Sequence, residues 1–103
     1  TGSQFTILPI SEKYNAYAEK VSEFLNNYDI RGSVDDRNEK IGKKIREAEL
    51  NKIPFMLIVG EQEEANQQVS VRQRKEGDLG AMNVEDFKNL IEKLVEQELV
   101  FNV

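Results

Sequence analysis

Two arginines in the run VSVRQRKEGDLGAM, residues 69–82, have the chemistry and the spacing to bind flat, forked acceptors. Arg72 and Arg74 lie two residues apart where apolar and polar residues alternate, a pattern that predicts a strand with both guanidinium groups on one face. A guanidinium is a rigid fork of N–H donors that can bond two acceptors on a nucleic-acid base edge or stack on a base. A tight Gly-Asp-Leu-Gly turn is predicted directly after this strand, at residues 77–80.

Asn38 and Glu63 are two further candidates for base recognition. The Asn38 amide offers a donor and an acceptor, whereas a carboxylate near a nucleic acid is costly unless it accepts from a base amino or imino group. Considered one at a time, Asn38, Glu63 and Arg72 are each more typical of an ordinary structural role than of base recognition. Asn38 would be a helix N-cap, Glu63 a solvated loop acid, and Arg72 a surface cation paired with Glu61, Glu63 or Glu64.

The net charge of −5 argues against indiscriminate nucleic-acid binding, because phosphate contacts normally require a basic face. The positive charge is unevenly spread, with five cations and one carboxylate within residues 37–46. Such cations can bind RNA phosphates and position a partner without reading its bases, although charge alone is more typical of a solvated face. The side chains that we expect to contact phosphates are Lys40, Lys43, Lys44, Arg46 and Arg74.

Several kinds of chemistry are disfavoured by what the chain lacks. It has no cysteine and no histidine, the usual thiol nucleophile, general base and metal ligands, so we expect no catalytic or metal site. No phosphate-cradling glycine loop is present, and Asp35 with Asp36 is a weak candidate for Mg²⁺ binding. No apolar run approaches the ~20 residues that span a bilayer and no signal peptide precedes the first strand, so we expect a cytoplasmic protein without membrane contact.

Apolar periodicity divides the chain into elements in the order β-α-β-α-β-β-β-α. Ser11 and Asn83 are predicted to cap the first and last helices, and the polar segment 61–67 is predicted to be a loop. The second helix is predicted over residues 40–51, and strands are predicted at 5–9, 30–35, 55–59, 68–74 and 77–82, the last after its turn.

This order predicts a three-layer α/β/α domain with a five-stranded mixed sheet and three helices. Right-handed crossovers place the first strand between the second and third, and the short connections around the fourth strand make it antiparallel, which gives the strand order 2-1-3-4-5. Val69 and Val71 should then face the last helix, whereas Arg72 should lie on the opposite face, on an open shelf near the basic segment 37–46. We expect residues 1–103 to form one domain, with 1–4 as a linker or frayed end.

Five short blocks carry a family signature. They are DDRNEKIG at 35–42, KIRE at 44–47, PFMLIVG at 54–60, VSVRQR at 69–74 and DLGAM at 78–82. In this order they resemble the C-terminal anticodon-binding domain of threonyl-tRNA synthetases, over essentially the whole chain. Related domains of prolyl-, glycyl- and histidyl-tRNA synthetases share the fold, but RNEKIG together with DLGxM is the threonyl form.

The resemblance implies a domain that binds the anticodon loop of threonine tRNA, with base contacts from Asn38, Glu63 and Arg72. Glu61 or Glu64 is an alternative to Glu63, because the 61–67 loop varies in the family. The resemblance also implies that a catalytic domain of the same chain uses ATP, Mg²⁺ and Zn²⁺, that the full-length enzyme is a homodimer, and that this segment carries no cofactor.

A competing interpretation is an anticodon-binding-like module reused for protein interaction or regulation, which the acidic net charge supports. The equivalent domain of a prolyl-, glycyl- or histidyl-tRNA synthetase is a second alternative. A free-standing small enzyme is disfavoured, because the chain lacks the usual catalytic side chains.

Overall fold

A five-stranded sheet, whose strands numbered along the chain lie in the order 2-1-3-4-5, is at the centre of this computed structural model, which describes residues 4–96. The first strand pairs in parallel with the second and third, and the fourth is antiparallel to the third and fifth, as predicted. The strands are β1 (Phe5–Pro9), β2 (Gly32–Val34), β3 (Phe55–Val59), β4 (Gln68–Gln73) and β5 (Gly77–Asn83). The helices are α1 (Asn15–Asn26), α2 (Ile41–Leu50), α3 (Glu61–Asn66) and α4 (Val84–Glu96), with a 3₁₀ turn at Glu12–Tyr14.

The two faces of the sheet carry separate apolar clusters. The larger one joins α1 and α4 to the sheet and includes Val71 and Phe87, whereas the smaller one joins α2 to Leu8 and Met56. Ridges of apolar side chains at helical spacing on α1 and α4 explain why these helices cover one face. The predicted strand order, mixed sheet and three long helices are therefore confirmed.

Three local predictions were wrong. The polar segment predicted as a loop forms the short helix α3, in which the carboxylates of the first turn are favourably placed at a helix N-terminus. Asn38 does not cap α2, because Lys40 occupies the N-cap position. The predicted turn at 77–80 lies inside β5, and the chain instead reverses at residues 74–76, where Lys75 has a φ of 74°.

The ends of the chain are described only in part. Of the expected linker or frayed end at residues 1–4, only Gln4 is described, and its backbone N–H donates to the carbonyl of Arg31 at 2.7 Å. Within residues 4–96, no helix has the length and apolar character to cross a membrane.

Candidate nucleic-acid interface

Arg72 lies on the sheet face that α2 only partly covers, as predicted. Its Cα is paired with Met56 of β3, which belongs to the α2-side cluster, and with Asp78 of β5. Its neighbour Val71 points the other way and is fully buried with Phe87 of α4. Because successive side chains of a strand point to opposite faces, Val71 lies in the core and the candidate Arg72 lies on the other face of the sheet, although they are neighbours in sequence.

The environment of the Arg72 guanidinium differs from both sequence interpretations. The side chain is partly buried rather than fully open, and its Nε atom is shielded from solvent without a hydrogen-bond partner among the described residues. No carboxylate of residues 4–94 forms an ion pair with it, so the expected pairing with Glu61, Glu63 or Glu64 is absent there. A shielded N–H donor without an acceptor costs stability, and an acceptor from outside can meet this guanidinium only at its terminal nitrogens, because Nε has no accessible surface.

A β-bulge in β5 lies beside Arg72, and it accounts for the residue types Asp-Leu-Gly at positions 78–80. Val71 is paired with Gly80 and Arg72 with Asp78, which leaves Leu79 as the extra residue of β5. Gly80 has a φ of +89°, a conformation that glycine adopts readily, and its N–H donates to Asp78 Oδ1 at 2.8 Å. The carboxylate opposite Arg72 therefore binds backbone in its own strand.

Both carboxylate oxygens of Glu63 are hydrogen-bonded within the protein, one at the start of α3 and one to the sheet. Oε1 accepts from the backbone N–H of Gly60 at 2.8 Å, which caps the first turn of α3, and Oε2 accepts from Ser70 Oγ at 2.8 Å. Ser70 precedes Arg72 by two residues on β4, so the carboxylate lies on the same sheet face as the guanidinium. Glu61 and Glu64 are exposed, and within the described residues their carboxylates form no hydrogen bond. Sequence alone did not identify Ser70 as a member of this site.

Asn38 lies in the exposed bend between β2 and α2. Its amide makes no hydrogen bond to another described residue, and it shares no contact of that kind with Glu63 or Arg72. The structural role as an N-cap is therefore excluded, and the donor and acceptor of the amide face solvent.

Two of the side chains expected to contact phosphates bind backbone carbonyl groups of the protein. Lys44 is only 3% exposed, and its ammonium donates to the backbone carbonyls of Pro9 at 3.2 Å and Asp35 at 2.9 Å. Arg74 Nε donates to the carbonyl of Glu49 at 3.1 Å, in the last turn of α2. For Lys44 the expectation was wrong, because a buried ammonium with two protein acceptors cannot meet a phosphate at the surface.

The remaining cations of the basic segment are exposed. Lys43 pairs at 2.9 Å with Glu39, which lies four residues earlier and just before the N-cap of α2, while Lys40 and Arg46 have no ion-pair partner among residues 4–94. Exposed pairs of this kind contribute little stability and are easily exchanged for another anion. Lys40, Lys43 and Arg46 are thus free to meet a polyanion.

Arg37, by contrast, is committed to the protein. Its guanidinium binds Asp35 with two hydrogen bonds at 2.8 Å and also reaches Glu47 of α2. The hydrogen bonds from Arg37 lower the pKa of the Asp35 carboxyl below its usual range. These side chains border a polar groove of about 350 Å³ between β2 and α2. The RNEKIG block therefore begins with a structural ion-pair network rather than a free cation.

Comparisons with known proteins agree with this fold. The model of a family described as anticodon binding domain matches residues 4–94. The chain is 54% identical over 96 residues to a threonine–tRNA ligase of Porphyromonas gingivalis, covering 93% of this chain and 15% of that protein. It is 57% identical over 95 residues to a threonine–tRNA ligase of Phocaeicola vulgatus, covering 91% of this chain and 15% of that protein.

Two solved structures have the same fold. The RNA binding domain of threonyl-tRNA synthetase from Cryptosporidium parvum Iowa II superposes with a TM-score of 0.84 at 29% identity, covering 88% of this chain and 23% of that one. Histidyl-tRNA synthetase from Nostoc sp. PCC 7120 superposes with a TM-score of 0.85, but at 21% identity it shows only the shared fold. The family match spans residues 4–94, so the chain belongs to the anticodon-binding domain family.

Proposed function

We propose that this chain is the anticodon-recognition domain of a threonine–tRNA ligase and that it binds the anticodon loop of threonine tRNA. The similarity to threonine–tRNA ligases over more than nine-tenths of the chain supports the choice of this ligase over its prolyl, glycyl and histidyl counterparts. The chain spans only 15% of the length of those relatives, so it supplies recognition, and the remainder of the ligase supplies catalysis.

The proposal depends on the environment of the Arg72 guanidinium. Its Nε–H is shielded from water and has no acceptor within the described part of the chain. Glu63, which is held by Ser70 two residues before the arginine, and Asp78, which is paired with the arginine across the sheet, accept hydrogen bonds from other protein groups and form no ion pair with it. Since Nε is the only shielded nitrogen of the group and no carboxylate of residues 4–94 pairs with Arg72, the terminal nitrogens of the guanidinium are left for an acceptor that these residues do not supply. A base edge or phosphate oxygen of an RNA loop matches its planar donor geometry.

Glu63 and Asn38 provide the complementary chemistry. Each Glu63 oxygen accepts one protein hydrogen bond and retains capacity for another, so the carboxylate can accept from base amino or imino groups. The exposed amide of Asn38 can donate and accept at a base edge. Together with Arg72 these side chains discriminate bases, because unpaired loop bases expose their hydrogen-bonding edges.

The exposed cations of the basic segment provide affinity without specificity. In the proposed complex, Lys40, Lys43 and Arg46 bind phosphates, and Arg74 contributes through the terminal nitrogens that do not bind α2. Lys44 has no part in this surface because it is buried. Each phosphate contact should add to the dependence of binding on salt concentration.

The chemistry of threonine activation lies outside this segment. The chain has no cysteine or histidine, and residues 4–94 contain no group of three side chains suited to a metal ion, so they do not fit the zinc or magnesium site of a ligase. We therefore assign ATP, Mg²⁺ and Zn²⁺ to the catalytic domain of the same polypeptide. We also propose that the complete ligase is a cytoplasmic homodimer.

Binding of anticodon stem-loop RNA tests the proposal. We expect the chain to prefer the threonine stem-loop over loops in which single anticodon bases are changed. Arg72→Ala should weaken binding by about 1–3 kcal/mol and relax the preference at one anticodon position. Arg31→Ala is the matched control, because Arg31 is an exposed arginine just before β2 and has no predicted contact with the RNA.

Two outcomes would contradict the proposal: equal affinity for threonine and unrelated anticodon loops, or equal effects of Arg72→Ala and Arg31→Ala.

A salt titration distinguishes RNA binding from the competing function, a protein-interaction module. The net charge of −5 favours a protein-interaction module, whose mostly apolar interface should tolerate salt, whereas binding through phosphates should weaken steeply as salt rises.

A further inference from the structure

We propose that Ser70 is a positioning residue of this interface, whose hydroxyl holds the Glu63 carboxylate in the orientation that accepts N–H donors from an RNA base. The inference rests on the function proposed above and adds to it a residue that selects which base is accepted. Ser70 itself need not touch the RNA.

The geometry brings three side chains onto one face of the sheet. Ser70 is paired with Ile58 of β3 and Ala81 of β5, and it is followed two residues later by Arg72. Its Oγ donates to Glu63 Oε2 at 2.8 Å. Because alternate residues of a strand share a face, the Ser70 hydroxyl fixes the carboxylate beside the guanidinium at the spacing of two strand residues.

Two anchors from different elements define the plane of the carboxylate. The Gly60 N–H holds Oε1 from the start of α3, and Ser70 holds Oε2 from the middle of β4. A glutamate held by one anchor alone can still rotate about its terminal bond, since that torsion is broad. With both anchors in place, the free acceptor positions of Oε1 and Oε2 point in defined directions.

A carboxylate with a fixed direction discriminates between base edges. It accepts from a base that presents amino or imino N–H groups, and it repels a base that presents carbonyl oxygens or ring nitrogens at the same place. Loss of the Ser70 hydroxyl would leave the charge of Glu63 in the site, but the carboxylate would no longer be held in one orientation. We therefore expect a loss of discrimination rather than a loss of overall affinity.

The test uses substitutions that separate the hydroxyl from the shape of the side chain. Ser70→Thr keeps the hydroxyl and adds a methyl group, whereas Ser70→Val has the shape of the threonine variant with a methyl group in place of the hydroxyl, and both β-branched side chains suit a strand. Ser70→Ala removes the hydroxyl without adding bulk. Binding of each variant to the threonine stem-loop and to loops with single anticodon changes is measured, alongside Glu63→Gln and with the fold checked by NMR spectra.

We expect Ser70→Val and Ser70→Ala to reduce discrimination about tenfold at one anticodon position, the magnitude of one hydrogen bond to a charged group. Glu63→Gln should reduce discrimination at that same position. Ser70→Thr, which keeps the hydroxyl, should discriminate as well as the unsubstituted chain. The dependence of affinity on Arg72 should be retained in every Ser70 variant.

Three results would overturn the positioning role while leaving the proposed function intact. These are full discrimination in Ser70→Val, an equal loss of affinity for all loops, or a loss of discrimination in Glu63→Gln at a different anticodon position from that affected in Ser70→Val. Failure of the proposed function has a different signature, because the unsubstituted chain would then show no anticodon preference at all.

Discussion

The ammonium of Lys44 donates to the backbone carbonyl of Asp35 at 2.9 Å, and this bond joins the middle of α2 to the residue after β2. A second bond, to the carbonyl of Pro9 at 3.2 Å, joins the same ammonium to the end of β1. One buried cation thus satisfies two carbonyl groups at the carboxyl ends of adjacent parallel strands. Its neighbour on the helix, Lys43, is exposed and pairs only with Glu39.

Lys44→Ala should lower the free energy of unfolding by about 1–3 kcal/mol, because it leaves buried carbonyl groups without a donor. Lys43→Ala is a matched control on the same helix and should change stability by less than about 0.5 kcal/mol. Urea denaturation of the two variants measures the difference. Equal effects of the two substitutions would show that the bonds of Lys44 contribute no stability.

The ion pair between Asp35 and Arg37 should make stability depend on pH in the acid range. The pKa of Asp35 is lowered in the folded protein from a reference of 3.8, so its contribution is present above that pH and is lost as pH falls through the folded value. In Arg37→Gln the pKa of Asp35 should return towards the reference, and the acid loss of stability should shrink. NMR titration of the carboxyl group measures the pKa directly.

Arg46→Gln is the control for this titration, because Arg46 is an exposed arginine of α2 with no described bond to Asp35. Its removal should leave the pKa of Asp35 lowered. If both substitutions raise that pKa equally, the cause is the general charge of the helix rather than the hydrogen bonds from Arg37.

Tyr17 should make stability depend on pH in the alkaline range. Its hydroxyl donates to the carbonyl of Gln68 at 2.6 Å, and burial, followed by the charges of Glu63 and Glu64, raises its pKa from 10.0 to about 12. The neutral phenol is thus favoured in the folded state, so the contribution is complete below pH 10 and is lost as pH rises towards about 12.

Ultraviolet absorbance of the phenolate follows this titration. The phase that titrates near pH 12 should disappear in Tyr17→Phe and persist in the control Tyr28→Phe, which leaves Tyr17 and its bond to Gln68 in place. Persistence of the late phase in Tyr17→Phe would assign it to another residue.

Two glycines should respond in opposite directions to alanine substitution. A Cβ at Gly42 of α2 would meet nothing within 4 Å, so Gly42→Ala should stabilise the protein by about 0.5–1 kcal/mol through helix propensity. A Cβ at Gly32 of β2 would lie 2.5 Å from the ring of Phe5, which is fully buried. Gly32→Ala should therefore destabilise the protein by about 1–3 kcal/mol. Thermal and urea unfolding measure both, and destabilisation by Gly42→Ala would refute the propensity argument.

The architecture was predictable because it depends on patterns that are local along the chain. The apolar run of β3 marks a strand that is buried on both faces, and the alternation in β4 assigns Val71 to the core and Arg72 to the opposite face. Right-handed crossovers then leave one arrangement for the parallel strands. Strand order, the pairing directions and the face that carries Arg72 follow from these rules, and the structure confirms each of them.

The bonds of individual polar side chains were not predictable in this way. Lysines 43 and 44 have the same residue type and adjacent positions, yet one is exposed and the other binds carbonyl groups from two strands. Likewise, a helix forms at residues 61–66, where the polar composition predicted a loop, because Glu63 caps its first turn and Ser70 holds the same carboxylate.

By itself, the sequence determined the family, the sheet and the side of the sheet on which the arginine of β4 lies, since periodicity and motif spacing are properties of the chain. Tertiary structure decided which charged groups remain available to a ligand. That outcome depends on acceptors and donors that distant strands bring within hydrogen-bond distance, as they do for Lys44 and Glu63, whereas no carboxylate of residues 4–94 pairs with Arg72.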